Sequence, residues 1–389
     1  MARRGPLAAA FALVAAAATI AAPAAHAHVK WFSQFSSGDR PLAFADIVTP
    51  LVIGLALLSA VVVGVLVVLD RRLDGLRLYR RVNEWFDARR DKAGGILRAA
   101  TGASLLLSWQ ADALLAPELH LAPGAWLGWA QFAVALLLVF RTTVPLAGVG
   151  LLGLFVAAAV QHGLFHLLDY AVFAGVGYAL VVLYARQPLL QASALPALYA
   201  TTGFSLCWLA LEKLVYPGWA AYVVEQNPAL TLGLDAGFFL TSAAFVEFSL
   251  GFLLVVGVLS RPLSAVITLV FFTTTLVFGK PEVIGHTILH GVLVVFLLEG
   301  PGRAFKPPIA IHRRTSWRVA FASVNLLLAL GALLFAYTYS AHRQYERAAS
   351  DAPAAPARAA PPARPAPPGA SADAPGPYAL PAPAPEGSR

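Results

Sequence analysis

Long apolar runs constrain this chain more than any other feature, because about 20 consecutive apolar residues let a helix cross a bilayer core. Ten runs near that length follow one another: Ile47 to Leu69, Ile96 to Leu115, Gly124 to Phe140, Val144 to His162, Phe165 to Tyr184, Leu195 to Tyr216, Ala236 to Leu259, Pro262 to Phe278, Ile284 to Leu298 and Val319 to Tyr339. Only 12% of the 389 residues are charged, against about 25% in an ordinary soluble domain. The pattern predicts an all-α polytopic membrane protein of about ten transmembrane helices, with no room for a large soluble catalytic domain. Cys207 and Met1 are the single cysteine and methionine. That excludes internal disulfides and the sulfur cages that favour Cu(I), so any metal site must use nitrogen and oxygen ligands.

Residues 1–27 have a basic start at Arg3 and Arg4, an apolar stretch from Leu7 to Ala22, and Ala25-His26-Ala27 as a small-x-small cleavage site. They read as a secretory signal peptide. Cleavage there makes His28 the first residue of a periplasmic N-terminal segment, 28–46. It would then offer both an amine and an imidazole to copper or zinc. Trp31 and Phe32 read as interfacial aromatics.

With His28 outside, the inner loops carry seventeen Lys and Arg, and the ordered outer side carries only Lys30, Arg40, Lys213 and Lys280. The positive-inside rule therefore places the chain in a bacterial inner membrane with both ends in the periplasm. The net charge of +8 records this topology and is no sign of a nucleic-acid partner. The loop 70–95 follows the first transmembrane helix, 47–69. It carries Leu73, Leu76, Tyr79, Val82 and Phe86 at helical spacing between arginines, which predicts an amphipathic helix on anionic lipid. The last helix, 319–339, leads into an Ala/Pro-rich segment, 340–389, expected to be disordered and periplasmic.

The chain also repeats itself. Asp112 precedes Pro117 as Glu212 precedes Pro217, and the run from Gln131 to Val139 matches that from Glu247 to Val255 at an offset of 116 residues. The same offset pairs Tyr170 with His286 and Gly175 with Gly291. Four helices separate equivalent positions, so the repeats, 96–185 and 195–300, are parallel. They predict two tandem four-helix bundles flanked by the first and last helices.

The second repeat resembles the DoxX-like family of integral membrane proteins. The residues that carry the resemblance are Glu212-Lys213-Leu214, Glu247 followed by Gly251-Phe252-Leu253-Leu254-Val255-Val256-Gly257, Arg261-Pro262, and Gly285-His286. The likeness is clear over about 196–300 and faint over 96–185, where Gln131 replaces the acidic residue. Relatives in that family include the small quinone-linked subunit of a thiosulfate-oxidising enzyme, so the resemblance implies this helical fold and a quinone-linked role.

A charge at mid-membrane costs at least about 2.5 kcal/mol even on permissive scales, so acids and imidazoles within spans need partners or a wet cavity. Glu212, Glu247, His286, His290, Asp112 and Gln131 form an expected outward-facing polar layer that could hold a quinone or similar redox ligand for a respiratory or redox partner. Glu212 is expected to face the bundle while Lys213 snorkels outward. His286 and His290 are four residues apart, as are His162 and His166; with His28 these four are the candidate copper or zinc ligands. A third reading is a non-catalytic membrane scaffold in which the same polar groups are interhelical hydrogen-bond glue.

Overall fold

The first long helix, α1 (Pro50–Leu73), starts where Thr49 caps it by accepting from the Val52 N–H at 3.3 Å, with Pro50 at the first helical position. That chemistry fixes its start three residues beyond the apolar boundary, since proline suits a first turn and serves poorly inside one. In the computed structural model, which describes residues 29–32, 39–122, 124–302 and 306–351, the described residues contain helices and turns and no strand. After α1 come α2 (Arg77–Asp87), α3 (Ala93–Gln110), α4 (Trp126–Leu137), α5 (Val144–His162), α6 (Ala171–Val182) and α7 (Pro188–Val215). They are followed by α8 (Pro217–Gln226), α9 (Ala236–Val256), α10 (Ser260–Phe278), α11 (Lys280–Glu299) and α12 (Thr315–Asp351). Residues through 349 form one unit; of the second, 350–389, only 350 and 351 are described.

Among the described residues, eight helical stretches are long and apolar enough to cross a membrane: Pro50–Leu73, Arg141–His162, Leu164–Val182, Pro188–Val215, Ala236–Val256, Ser260–Phe278, Lys280–Glu299 and Thr315–Ser350. This is the make-up of a multi-pass membrane protein. The runs expected at 96–115 and 124–140 behave differently. The first stops being helical at Gln110, and the second gives only the 12-residue α4, which at 1.5 Å per residue is about 18 Å long. Between them the backbone turns through positive φ at Asp112 (53°) and Leu115 (69°), angles that non-glycine residues adopt only when neighbours hold them. At the other end α12 continues to Asp351, so the opening residues of the segment expected to be unstructured are helical. The leader 1–27, His28 and the tail from 352 lie outside the described residues.

The helices of the segments 96–185 and 195–300 do not pack as two separate groups: α3 packs on α11, and α7 packs on α6. Helix α2 lies beside the start of α10. Arg261 reaches it through the Asp87 carboxylate and the Asn83 carbonyl, while also donating to the carbonyls of Leu297 (2.8 Å) and Leu298 (2.9 Å). The opposite face of α2 leaves Leu78, Val82 and Trp85 exposed, as an amphipathic surface helix requires.

Candidate functional site

Lys30, on a short turn formed by Val29–Trp31, is 4% exposed and reaches into the bundle. Its ammonium pairs with Asp169, just before α6, and with Glu212, near the end of α7, at 2.7 Å. Burial alone would lower its pKa, but the two carboxylates outweigh that and hold it above the ordinary lysine value. Trp31 follows it inward: its indole N–H donates to the Tyr170 hydroxyl at 2.9 Å, and its ring lies 5.0 Å from that of His286. Gly285 has no side chain because Trp31 occupies that place; a Cβ there would sit 1.8 Å from the indole. Tyr170 and His286 are equivalent positions of the repeat, so this one tryptophan touches both units.

Tyr170 passes its hydroxyl proton to a hydrogen bond with Glu118, whose carboxylate also lies 3.7 Å from His166 Nε2. Burial opposes charge on Glu118, yet these two partners prevail and hold its carboxyl below the usual range. The loop that carries Glu118 is fixed by Gln131, which accepts from the Leu115 N–H (3.0 Å) and donates to the carbonyls of Leu105 (3.0 Å) and Ala113 (3.1 Å). Ser108 donates to the Leu115 carbonyl at 2.9 Å. Those bonds hold Leu115 at its positive φ.

On the second unit, Glu247 pairs with Lys213 at 2.6 Å, and Glu282 pairs with His286 at 2.7 Å while accepting from Thr274 at 2.8 Å. Lys213 is 4% exposed, so the expectation that it snorkels outward is corrected. The partly buried Glu247 carboxylate on α9 retains it. The repeat makes the pair intelligible: Lys213 corresponds to Ala113 and Glu247 to Gln131, and Gln131 bonds the Ala113 carbonyl. One contact is built twice, once ionic and once neutral.

The expected residues are thus brought together only in part. Glu247 and His286 line one space with Lys213, Asp169 and Tyr170, but it measures about 40 Å³. Since a water molecule occupies about 10–15 Å³ on this measure, it has room for a few waters and none for an aromatic ring. His290 does not line it, lying on the T-shaped flank of Phe271 at 6.4 Å. Asp112 is exposed in the α3–α4 turn, and Gln131 is spent on the backbone. Among the described residues no three His, Cys, Asp or Glu side chains form a metal cage.

A larger cavity, about 200 Å³, lies beside this network and is lined by Lys30, Glu118, His162, Phe165, His166, Tyr216, Trp219 and Gln344. It presents cationic and imidazole donors next to three aromatic rings. Burial pushes the Tyr216 hydroxyl up to about 12, so it stays a neutral donor. Trp219 stacks on Tyr216 at 4.1 Å and donates its N–H to Asp39 at 2.8 Å. Comparison with family models, with curated proteins and with solved structures finds no match to this chain. The site therefore rests on its own chemistry.

Sequence reasoning missed Lys30, Glu118, Asp169 and Glu282 as members of the network. Glu282 could have been found, because it stands four residues before His286 on one helix face. Glu118 sits in a turn, where spacing says nothing about facing, and Asp169 sits in the short 3-10 helix Leu168–Tyr170.

Proposed function

We propose that the chain is a DoxX-like multi-pass protein of the bacterial inner membrane, with its Lys30 end toward the periplasm, that holds a quinone or similar redox ring for a respiratory or redox partner. The observation that carries this reading is the 200 Å³ cavity in which Lys30, His162 and His166 stand beside Phe165, Tyr216 and Trp219. Quinone carbonyls accept hydrogen bonds and the ring is flat and apolar, so donors flanked by aromatic faces suit it. The ligand place is thus moved, within the outward polar layer, from Glu247, His286 and His290 to the space that Lys30, His162 and His166 share with Tyr216 and Trp219. The ionic network behind it keeps Lys30 and His166 in position.

A second reading takes the same cavity as a copper or zinc site. It is favoured by His162 and His166, two imidazoles four residues apart that both line the cavity.

One measurement separates the two. Full-length protein purified in mild detergent is extracted for quinones, analysed for metals and sequenced from its N-terminus. Wild type should carry near-stoichiometric quinone, and His166→Ala should lose it at least tenfold without a matching fall in melting temperature. Copper or zinc on a chain that starts at His28 would support the second reading instead. Neither ligand in wild type would leave the scaffold reading alone standing.

A further inference from the structure

At the opposite end of the helices, a cavity of about 660 Å³ opens between α3, α7, α9 and α11. That is within the range of about 300–1,000 Å³ typical of small-molecule sites, and it is more than three times the volume beside Lys30. Its depth is apolar, walled by Leu97, Leu195, Leu254 and Val295; its polar groups are Arg90, Ser260, Glu299 and Lys306 together with Gln191 and Tyr199. Ser260 has bonding capacity to spare, being 5% exposed with a hydroxyl that has no hydrogen-bond partner among the described residues. Arg90 is engaged at the rim, pairing with the carboxylates of Asp87 (3.0 Å) and Glu299 (3.8 Å) and donating from Nη2 to the Glu299 carbonyl at 2.8 Å, while Lys306 is exposed there. Tyr199 is already used, stacked on Phe296 at 3.8 Å and donating to the Gly300 carbonyl.

An apolar chamber with a guanidinium, an ammonium and a spare hydroxyl fits an amphiphile whose chain lies inside and whose anionic head group stays at the rim. Basic pockets between helices on the cytoplasmic side are where acidic lipid head groups bind. We infer that this cavity is a site for an anionic phospholipid, its acyl chain between α3 and α7 and its phosphate at Arg90, Ser260 and Lys306. The inference is independent of what occupies the outer end.

Two adjacent glycines make the test clean. Gly94 lines the cavity and Gly95 does not, and a Cβ at either meets nothing within 4 Å. Leucine at each also suits a helix better than glycine does. Delipidated full-length protein would be titrated with phosphatidylglycerol, phosphatidylcholine and inorganic phosphate, with bound lipid counted by native mass spectrometry and melting temperature followed in parallel. Phosphatidylglycerol should bind saturably to wild type and Gly95→Leu. Its affinity should fall at least tenfold in Gly94→Leu and severalfold in Lys306→Gln, with inorganic phosphate inert and His166→Ala unaffected. Equal binding by Gly94→Leu and Gly95→Leu, or by the two phospholipids, would overturn the site; a response to phosphate alone would reduce it to an anion contact.

Discussion

Lys30 is held by two carboxylates that would otherwise face each other with no counter-charge. Removing one partner of a buried ion pair costs about 3–5 kcal/mol, whereas replacing every member by a neutral group of similar shape is often harmless. Lys30→Met should therefore lower stability by about that amount, and Lys30→Met/Asp169→Asn/Glu212→Gln should recover most of it in a detergent denaturation series. If the triple variant is no better than the single, the cost is packing and the charge account fails. The pH response has two limbs. Glu118, with its pKa depressed, contributes stability above the ordinary carboxyl value of 4.5 that is lost as pH falls through its folded value. Lys30, with its pKa raised, contributes stability below 10.5 that is lost as pH rises through its folded value. Glu118→Gln should remove the acid limb while leaving the alkaline one. Glu212 and Glu247 were legible as buried acids because a carboxylate within an apolar run demands a partner. Lys30 was not, since a lysine outside every apolar run reads as a surface charge until the bundle closes around it.

Gly175 and Gly291 show how the helices use the repeat. A Cβ on Gly175 would stand 1.9 Å from the Thr201 hydroxyl on α7, and one on Gly291 would stand 2.1 Å from the Ala100 Cβ on α3. Each glycine lets the last helix of one unit touch the first helix of the other. Gly291→Val, in which the clash is with a methyl group that cannot rotate away, should cost about 1–3 kcal/mol as overpacking does, and more than Gly331→Val, where a Cβ meets nothing within 4 Å. Equal melting temperatures for the two variants would refute that contact. Gln131 is the second element-level test. Gln131→Leu strands the Leu115 N–H and the Ala113 carbonyl, at about 1–3 kcal/mol for each unsatisfied group, and it should loosen the turn carrying Glu118, seen as faster amide exchange over 111–121. The long apolar helices themselves were readable from hydropathy. The turn after Gln110 was not: residues 111–116 are nearly as apolar as a helix, and what unwinds them is a set of tertiary bonds to Gln131 and Ser108.

At the scale of the molecule, the two ends differ in kind. One is stitched by buried ion pairs around Lys30 and carries few exposed cations; the other bears Arg71, Arg72, the arginines of α2 and the apolar chamber. Of the four cations that the sequence places on the outer side, Lys30 and Lys213 are buried in pairs. The lone cysteine allows this orientation to be tested without first engineering a background, because Cys207 is buried and its thiol donates to the Phe248 carbonyl at 3.4 Å. An impermeant maleimide should leave the native chain unlabelled in whole cells and react only after denaturation. Gly218→Cys, at an exposed position where a Cβ meets nothing within 4 Å, should be labelled in intact spheroplasts. Gly75→Cys, in the exposed turn between α1 and α2, should be labelled only once the membrane is opened. The reverse pattern would place Lys30 and its cavity in the cytoplasm, where a secreted N-terminus could not reach them, and would remove the copper or zinc reading together with the periplasmic one.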